Sequence, residues 1–168
     1  MKGKDGLYDA CEVAEFVIDY SNEMGYPISA FKVESLLYFV QAYFLLGGER
    51  ETDSHLCFRD RIEARDWGPV IRSVHDRYGH CGSMSLYENR GYAVMNGSLW
   101  ESRWIRPSGT AHLEAADAAL VRRIVDCFSE YAPGSLQKLV RSQDPWMMAY
   151  RKGTGSEITP DSIAEWFR

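Results

Sequence analysis

Residues 30–46 read AFKVESLLYFVQAYFLL, and this stretch decides the fold. It is apolar on nearly every side, which is typical of a helix that is buried on all its faces. Ser29 supplies a side-chain oxygen for its first turn, and Gly47 and Gly48 end it. Its longest apolar run is too short to span a bilayer, because a spanning helix needs about 20 apolar residues. The sequence therefore predicts a central core helix.

Helices are also predicted on both sides of this central one. Apolar residues recur at helical spacing over 8–23, where Gly25 provides the stop, and again over 113–131. Pro69 can occupy the first position of a helix, because its ring fixes φ and it has no N–H to satisfy. We therefore predict a third helix over 69–78.

Three shorter helices are predicted near the C-terminal end of the sequence. Ser135 can cap the first of them, and Pro145 opens the second. Thr159 and Pro160 together give a cap and a first-turn proline for the third. There is no internal repeat, low-complexity tract or linker. The sequence thus predicts one mainly α, compact multi-helix domain over 1–168.

Two segments have the patterns of β-structure instead. Residues 56–65 alternate apolar and charged side chains, which predicts a short strand or an extended segment. Asn96-Gly97 favours a type I′ turn, and the apolar residues on either side of it predict a small β-hairpin over about 91–105. Residues 49–55, between the central helix and the first of these segments, are polar and predict a surface loop.

Composition restricts the class of protein. The chain carries 19 Lys and Arg against 24 Asp and Glu, a net charge of -5, which argues against a broad nucleic-acid-binding or lipid-binding surface. The four cysteines are scattered without a CxxC pair, as expected of reduced thiols and not of a zinc site. Residues 1–7 lack the apolar segment of a secretory signal. These features predict a cytoplasmic protein with no membrane span, metal or cofactor.

Motifs for catalysis are absent from the sequence. Neither a GxSxG nucleophile turn nor a phosphate-binding glycine loop is present. Glu63, Asp66, His75 and His80 lie close together in sequence, and an enzyme of an unrecognised class would need at least two of them in one pocket. Asp66 is better explained as a cap for the helix near Pro69. The sequence predicts no catalytic residue.

Three motifs carry a resemblance to a known family. They are PISAFK at 27–32 leading into LLYFVQAY at 36–43, IEARDWGPV at 62–70, and the Pro145-Trp146 pair. Together they resemble the Panacea antitoxin domain, a family that takes in SocA-like and phage-associated GepA-like proteins. The similarity extends from Tyr8 to the end of the sequence.

The resemblance implies an antitoxin that neutralises a cognate protein toxin by direct binding. Two alternatives remain open: a protease adaptor that delivers the toxin for degradation, and a phage-associated enzyme or regulator. A DNA-binding regulator would need a basic helix, for which only the Arg122-Arg123 segment is a candidate. The toxin-binding candidates, which are the polar and aromatic residues within the matching motifs, are Lys32, Tyr38, Gln41, Asp66, Trp67 and Pro69.

Overall fold

The computed structural model describes residues 2–3, 6–47, 55–86, 92–95, 102–105 and 113–168. The chain is mainly helical, as predicted. Its helices in these ranges are α1 (Ala10–Met24), α2 (Ala30–Leu45), α3 (Arg72–Tyr78), α4 (Ala115–Cys127), α5 (Pro133–Arg141), α6 (Asp144–Arg151) and α7 (Pro160–Phe167). A 3₁₀ turn covers Gly79–Cys81. The strands there are β1 (Ile62–Arg65), β2 (Gly68–Ile71), β3 (Tyr92–Met95), β4 (Ser102–Ile105) and β5 (Ser156–Glu157).

Helix α2 lies at the centre of the fold. Thirteen of its sixteen residues are buried, and it packs against α1, α3, α4, α5, α7 and β2. The predicted cap is confirmed, because the Ser29 hydroxyl accepts a hydrogen bond from the Lys32 backbone N–H. Burial of a large apolar side chain contributes about 1.5–3 kcal/mol. Leu36, Leu37 and Phe44, none more than 2% exposed, therefore hold α2 in place.

The helix boundaries follow local chemistry. Gly25 ends α1 in the left-handed conformation, with a φ of 73°, and the predicted stop is confirmed. Thr159 accepts a backbone hydrogen bond from the first turn of α7, as predicted. The prediction for Ser135 is wrong, because α5 begins two residues earlier at Pro133. Proline suits that first position, where an N–H would have no helical partner.

A three-stranded antiparallel sheet packs on α2 through β2, in the order β2–β1–β5. The predicted extended segment becomes β1, which forms a hairpin with β2. Arg65 pairs with Gly68, so the hairpin turn consists of Asp66 and Trp67. Gly68 has a φ of 141°, a backbone conformation that only glycine adopts readily. Glycine is therefore required where the turn re-enters β2.

The prediction that a helix begins at Pro69 is wrong. Pro69 lies in β2, and α3 begins at Arg72. A proline within a sheet is usually restricted to an edge strand. It has no backbone N–H, and a central strand would need that N–H for a hydrogen bond to a neighbouring strand. Strand β2 is an edge of its sheet, so the same missing N–H that suggested a helix start is accommodated in a strand.

A second antiparallel pair confirms the strands of the hairpin predicted over about 91–105. Strands β3 and β4 are in register, with Tyr92 opposite Ile105 and Met95 opposite Ser102. The type I′ turn predicted at Asn96-Gly97 lies outside the described residues. So does most of the surface loop predicted over 49–55.

Two further observations concern the cysteines and Trp146. The four cysteines, Cys11, Cys57, Cys81 and Cys127, are free thiols, as expected. Trp146 packs among the C-terminal helices and stacks on Tyr150 with ring centroids 4.5 Å apart. Its buried indole N–H has no hydrogen-bond acceptor among the described residues, although buried polar groups usually have one. Across those same residues, no helix combines the length and apolar character needed to cross a membrane.

Candidate functional site

The three candidate residues on α2 point into the protein and bond to neighbouring segments. The Lys32 ammonium donates to the Ser129 carbonyl at 2.6 Å, and burial lowers the pKa of Lys32. The Tyr38 hydroxyl donates to the Gln143 side-chain oxygen at 2.7 Å. Both side chains are almost completely buried, with 3% and 0% of their surface exposed. In this conformation they fasten α2 to its neighbours.

Gln41 has the same kind of role towards the segment that precedes β1. Its amide donates to the Phe58 carbonyl at 3.1 Å, and its oxygen accepts from the Cys57 N–H at 3.1 Å. The side chain thus satisfies backbone groups that have no strand partner at this point. Both the donor and the acceptor of this buried amide are satisfied, and the side chain thereby positions the loop inside the fold.

The other candidates, Asp66, Trp67 and Pro69, belong to the β1–β2 hairpin. Trp67 is 71% exposed and Asp66 is exposed beside it, whereas Pro69 is buried in β2. We name Asp66 and Trp67 the hairpin tip. Trp67 is the most exposed of the large apolar side chains among the described residues, and aromatic residues are enriched among those that dominate binding energy.

Side chains from the C-terminal part of the fold donate hydrogen bonds to the hairpin tip. The Asp66 carboxylate accepts from the Tyr150 hydroxyl at 2.9 Å and from the Thr154 hydroxyl at 3.1 Å. The Asp66 backbone carbonyl accepts from the Arg141 guanidinium at 3.3 Å. The prediction that Asp66 caps α3 is therefore wrong, because its carboxylate faces α6 and the segment that follows it. The hydrogen bond to the Asp66 carboxylate raises the pKa of Tyr150.

A cleft of about 350 Å³ opens beside the hairpin tip. Phe31 from the start of α2 and Trp67 supply aromatic surface, and Gln137 from α5 lies close to Gly68. A methyl group added to Gly68 would meet the Gln137 side chain at 3.4 Å. Gly68 therefore lies in close contact with α5, whose residue Gln137 forms part of the cleft wall.

The inner part of the cleft contains a pair of titratable groups, Glu34 and His75. The Nδ1 atom of His75 lies 3.1 Å from a Glu34 carboxylate oxygen. Glu34 is 3% exposed, and burial raises its pKa to about 8, although the Ile71 backbone N–H opposes this shift by bonding to the carboxylate. A hydrogen bond at this distance requires one proton between the two groups, on the imidazole or on the carboxyl.

The arginines at the cleft face a different carboxylate. Arg65 places two guanidinium nitrogens 2.5 and 2.9 Å from one oxygen of Glu63, and Arg72 lies 3.7 Å from the same oxygen. Glu63 thus pairs closely with Arg65 and more distantly with Arg72, and its single negative charge offsets one of the two positive charges. The Glu34 carboxyl has no share in these ion pairs.

An enzyme would need at least two of the residues Glu63, Asp66, His75 and His80 in one pocket. Two of them, Asp66 and His75, line the cleft, so this alternative stays open. Glu63 pairs with the two arginines, and His80 lies in the 3₁₀ turn after α3. The described residues contain no group of three metal-ligating side chains placed to hold an ion. The sequence did not reveal the Glu34–His75 pair, because 41 positions separate the two residues. Glu34, a charged residue within an apolar helix, was the one available signal for this pair.

Comparisons with protein-family models, curated proteins and solved structures gave no match. The resemblance to the Panacea family therefore rests on the three sequence motifs quoted above.

Proposed function

We propose that this protein is the antitoxin of a toxin-antitoxin system and neutralises a cognate protein toxin by direct binding. The three Panacea-like motifs suggest the partner class, and the exposure of Trp67 is the structural observation that carries the proposal. Two of those motifs meet at the cleft, since Phe31 and Glu34 come from the start of α2 and Trp67 comes from the IEARDWGPV segment. The proposed contact surface is the hairpin tip with this cleft.

The way the tip is held supports binding through Trp67. Tyr150, Thr154 and Arg141 all bond to Asp66, the neighbour of Trp67. An aromatic side chain on a backbone that is already fixed loses less conformational entropy on binding than one on a free loop. The net charge of -5 would also favour encounter with a basic toxin. We place this interaction in the cytoplasm, where the free cysteines would remain reduced.

Co-expression with the product of the neighbouring gene tests the proposal. That product should arrest growth when expressed alone, and this protein should restore growth and form a complex with it that is stable in size-exclusion chromatography. A neighbouring product that is harmless alone, or that still arrests growth beside the folded protein, would contradict the proposal. Toxin abundance, followed by immunoblot, separates occlusion from delivery to a protease, because only delivery lowers it.

Trp67→Ala locates the contact. The matched control is Trp166→Ala, since Trp166 is 44% exposed on α7 and is not among the residues that line the cleft. Removal of an aromatic hot-spot residue costs about 2 kcal/mol or more in binding, which corresponds to roughly thirtyfold in affinity. The affinity of the Trp166 variant for the toxin should stay unchanged. Equal losses in the two variants would place the contact elsewhere.

A further inference from the structure

The Glu34 carboxyl is an acidic group buried at the inner end of an open cleft without a fixed cation. Its described partners are the Ile71 backbone N–H and the His75 imidazole. Arg65 and Arg72, the nearby permanent cations in the cleft wall, turn to Glu63. His75 is a partner that can leave, because its side chain is 42% exposed whereas that of Glu34 is 4% exposed.

The cleft walls suit a long side chain with a cationic end. Phe31 and Trp67 line the cleft, and aromatic rings attract cations and pack against aliphatic stems. The volume of about 350 Å³ falls at the lower end of the range of ligand pockets, which suits a single large side chain. A carboxylate at the end of an aromatic-walled cleft provides a charge-assisted hydrogen bond for a guanidinium or ammonium group.

We propose that this cleft receives a basic side chain, an arginine or a lysine of the partner, whose cationic end takes the place of His75 beside Glu34. The inference rests on the proposed function only in calling that partner a toxin. An anionic group would be held less well at this position. It would have to compete with Glu63 for both arginines, and it would approach Glu34 and Asp66.

Proton release distinguishes the two kinds of ligand. The Glu34 carboxyl keeps its proton near neutral pH, because burial raises its pKa to about 8. A cation beside Glu34 stabilises the carboxylate, so the proton leaves to solvent. An anion beside Glu34 would favour the protonated carboxyl and would cause no proton release. Arg65, Arg72 and Asp66 also line the cleft and face the same ligand.

The probe is acetyl-arginine amide, which carries one positive charge and no carboxylate. Its uncharged analogue, acetyl-citrulline amide, has nearly the same shape. Titration of the full-length protein, followed by NMR, should give saturable shifts at cleft residues with the arginine probe and at least about tenfold weaker binding with citrulline. Calorimetry in two buffers of different ionisation enthalpy should show proton release. Absence of localised shifts, equal binding of both probes, or absence of proton release would overturn the inference.

Two variants assign the effect to Glu34. Glu34→Gln keeps the shape and the acceptor for Ile71 but cannot ionise when a cation binds, so affinity for the arginine probe should fall about tenfold. Glu165→Gln, on the exposed surface of α7, is the matched control and should bind as the parent does. His75→Ala removes the competing partner, so affinity should rise. A loss of affinity in His75→Ala would show that His75 contacts the ligand itself.

These measurements need no toxin, so the two proposals can fail separately. Failure of the co-expression experiment while the arginine probe binds would remove the antitoxin function and retain the cation site. Rescue of growth that depends on Trp67, together with no binding of the arginine probe, would retain the antitoxin and remove the cation site.

Discussion

The Tyr150 hydroxyl on α6 donates a 2.9 Å hydrogen bond to the carboxylate of Asp66 at the β1–β2 turn. These residues are 84 positions apart, and the bond ties the exposed Trp67 to the C-terminal part of the fold. Tyr150 is itself positioned by its stacking on the buried Trp146, with the two ring planes 13° apart. The orientation of the hairpin tip therefore depends on the Pro145-Trp146 segment, although the two are distant in sequence.

Tyr150→Phe tests this dependence. The phenyl ring can keep the stack on Trp146, but Asp66 loses one of its two side-chain donors. We expect faster backbone hydrogen exchange over 62–71, because local opening increases when a tertiary tie is removed. Tyr131→Phe is the matched control, since Tyr131 is exposed at the end of the α4 region. Unchanged exchange over 62–71 in Tyr150→Phe would mean that Thr154 and Arg141 suffice.

Tyr38→Phe tests whether the buried tyrosine of α2 is structural. The change removes the hydroxyl that donates to Gln143 and leaves the amide oxygen of Gln143 without this donor. A lost buried hydrogen bond lowers the free energy of unfolding by about 1–2 kcal/mol. Urea denaturation should show this loss, while toxin affinity, measured where the variant is folded, should stay as in the parent. Weaker binding by the folded variant would restore Tyr38 as a contact residue.

The sequence was informative wherever a single local pattern decides the structure. The all-round apolar run of α2 and the caps at Ser29, Gly25 and Thr159 depend only on residues close to them in the chain. The helix start predicted at Pro69 was wrong because two structures tolerate a proline, the first turn of a helix and an edge strand. The choice between them depends on the neighbours of β2, which a single local segment does not specify.

The candidate site was predictable only in part, for the same reason. Asp66 and Trp67 were predicted because they belong to the contiguous motif IEARDWGPV, and both line the cleft. The partners of Asp66 and of Glu34 come from other elements of the chain, Tyr150 from α6 and His75 from α3. Contacts across such distances follow from packing, and no spacing rule of helices or strands predicts them.

Gln41→Leu should destabilise the protein more than Tyr38→Phe, the other substitution of an uncharged residue in α2. Leucine fits an apolar interior but leaves the Cys57 N–H and the Phe58 carbonyl without their partner. Each unsatisfied buried group costs about 1–3 kcal/mol, so we expect a loss of about 2–4 kcal/mol in the free energy of unfolding. Gln137→Leu, at a half-buried position of the cleft wall, provides the comparison and should change stability less. Similar losses in the two variants would remove the special role of Gln41.

Glu34→Gln should change how stability depends on pH. The ordinary pKa of this carboxyl is 4.5, and burial raises it to about 8 in the folded protein. Between these values the unfolded chain has released the proton and the folded protein retains it, so stability falls as pH rises. The slope contributed by one such group is at most about 1.4 kcal/mol per pH unit. Glutamine does not titrate, so the variant lacks this contribution.

Urea denaturation across this pH window gives the measurement. The parent should lose stability relative to Glu34→Gln as pH rises from about 4.5 to about 8, and the difference should level off outside the window. His75, Arg65, Arg72 and Asp66 also line the cleft, but they are common to both proteins. The same measurement in the His75→Ala background removes the imidazole that is hydrogen-bonded to Glu34. The fall should persist there, because burial is the main cause of the raised pKa; parallel stability curves in that background would show that His75 controls it.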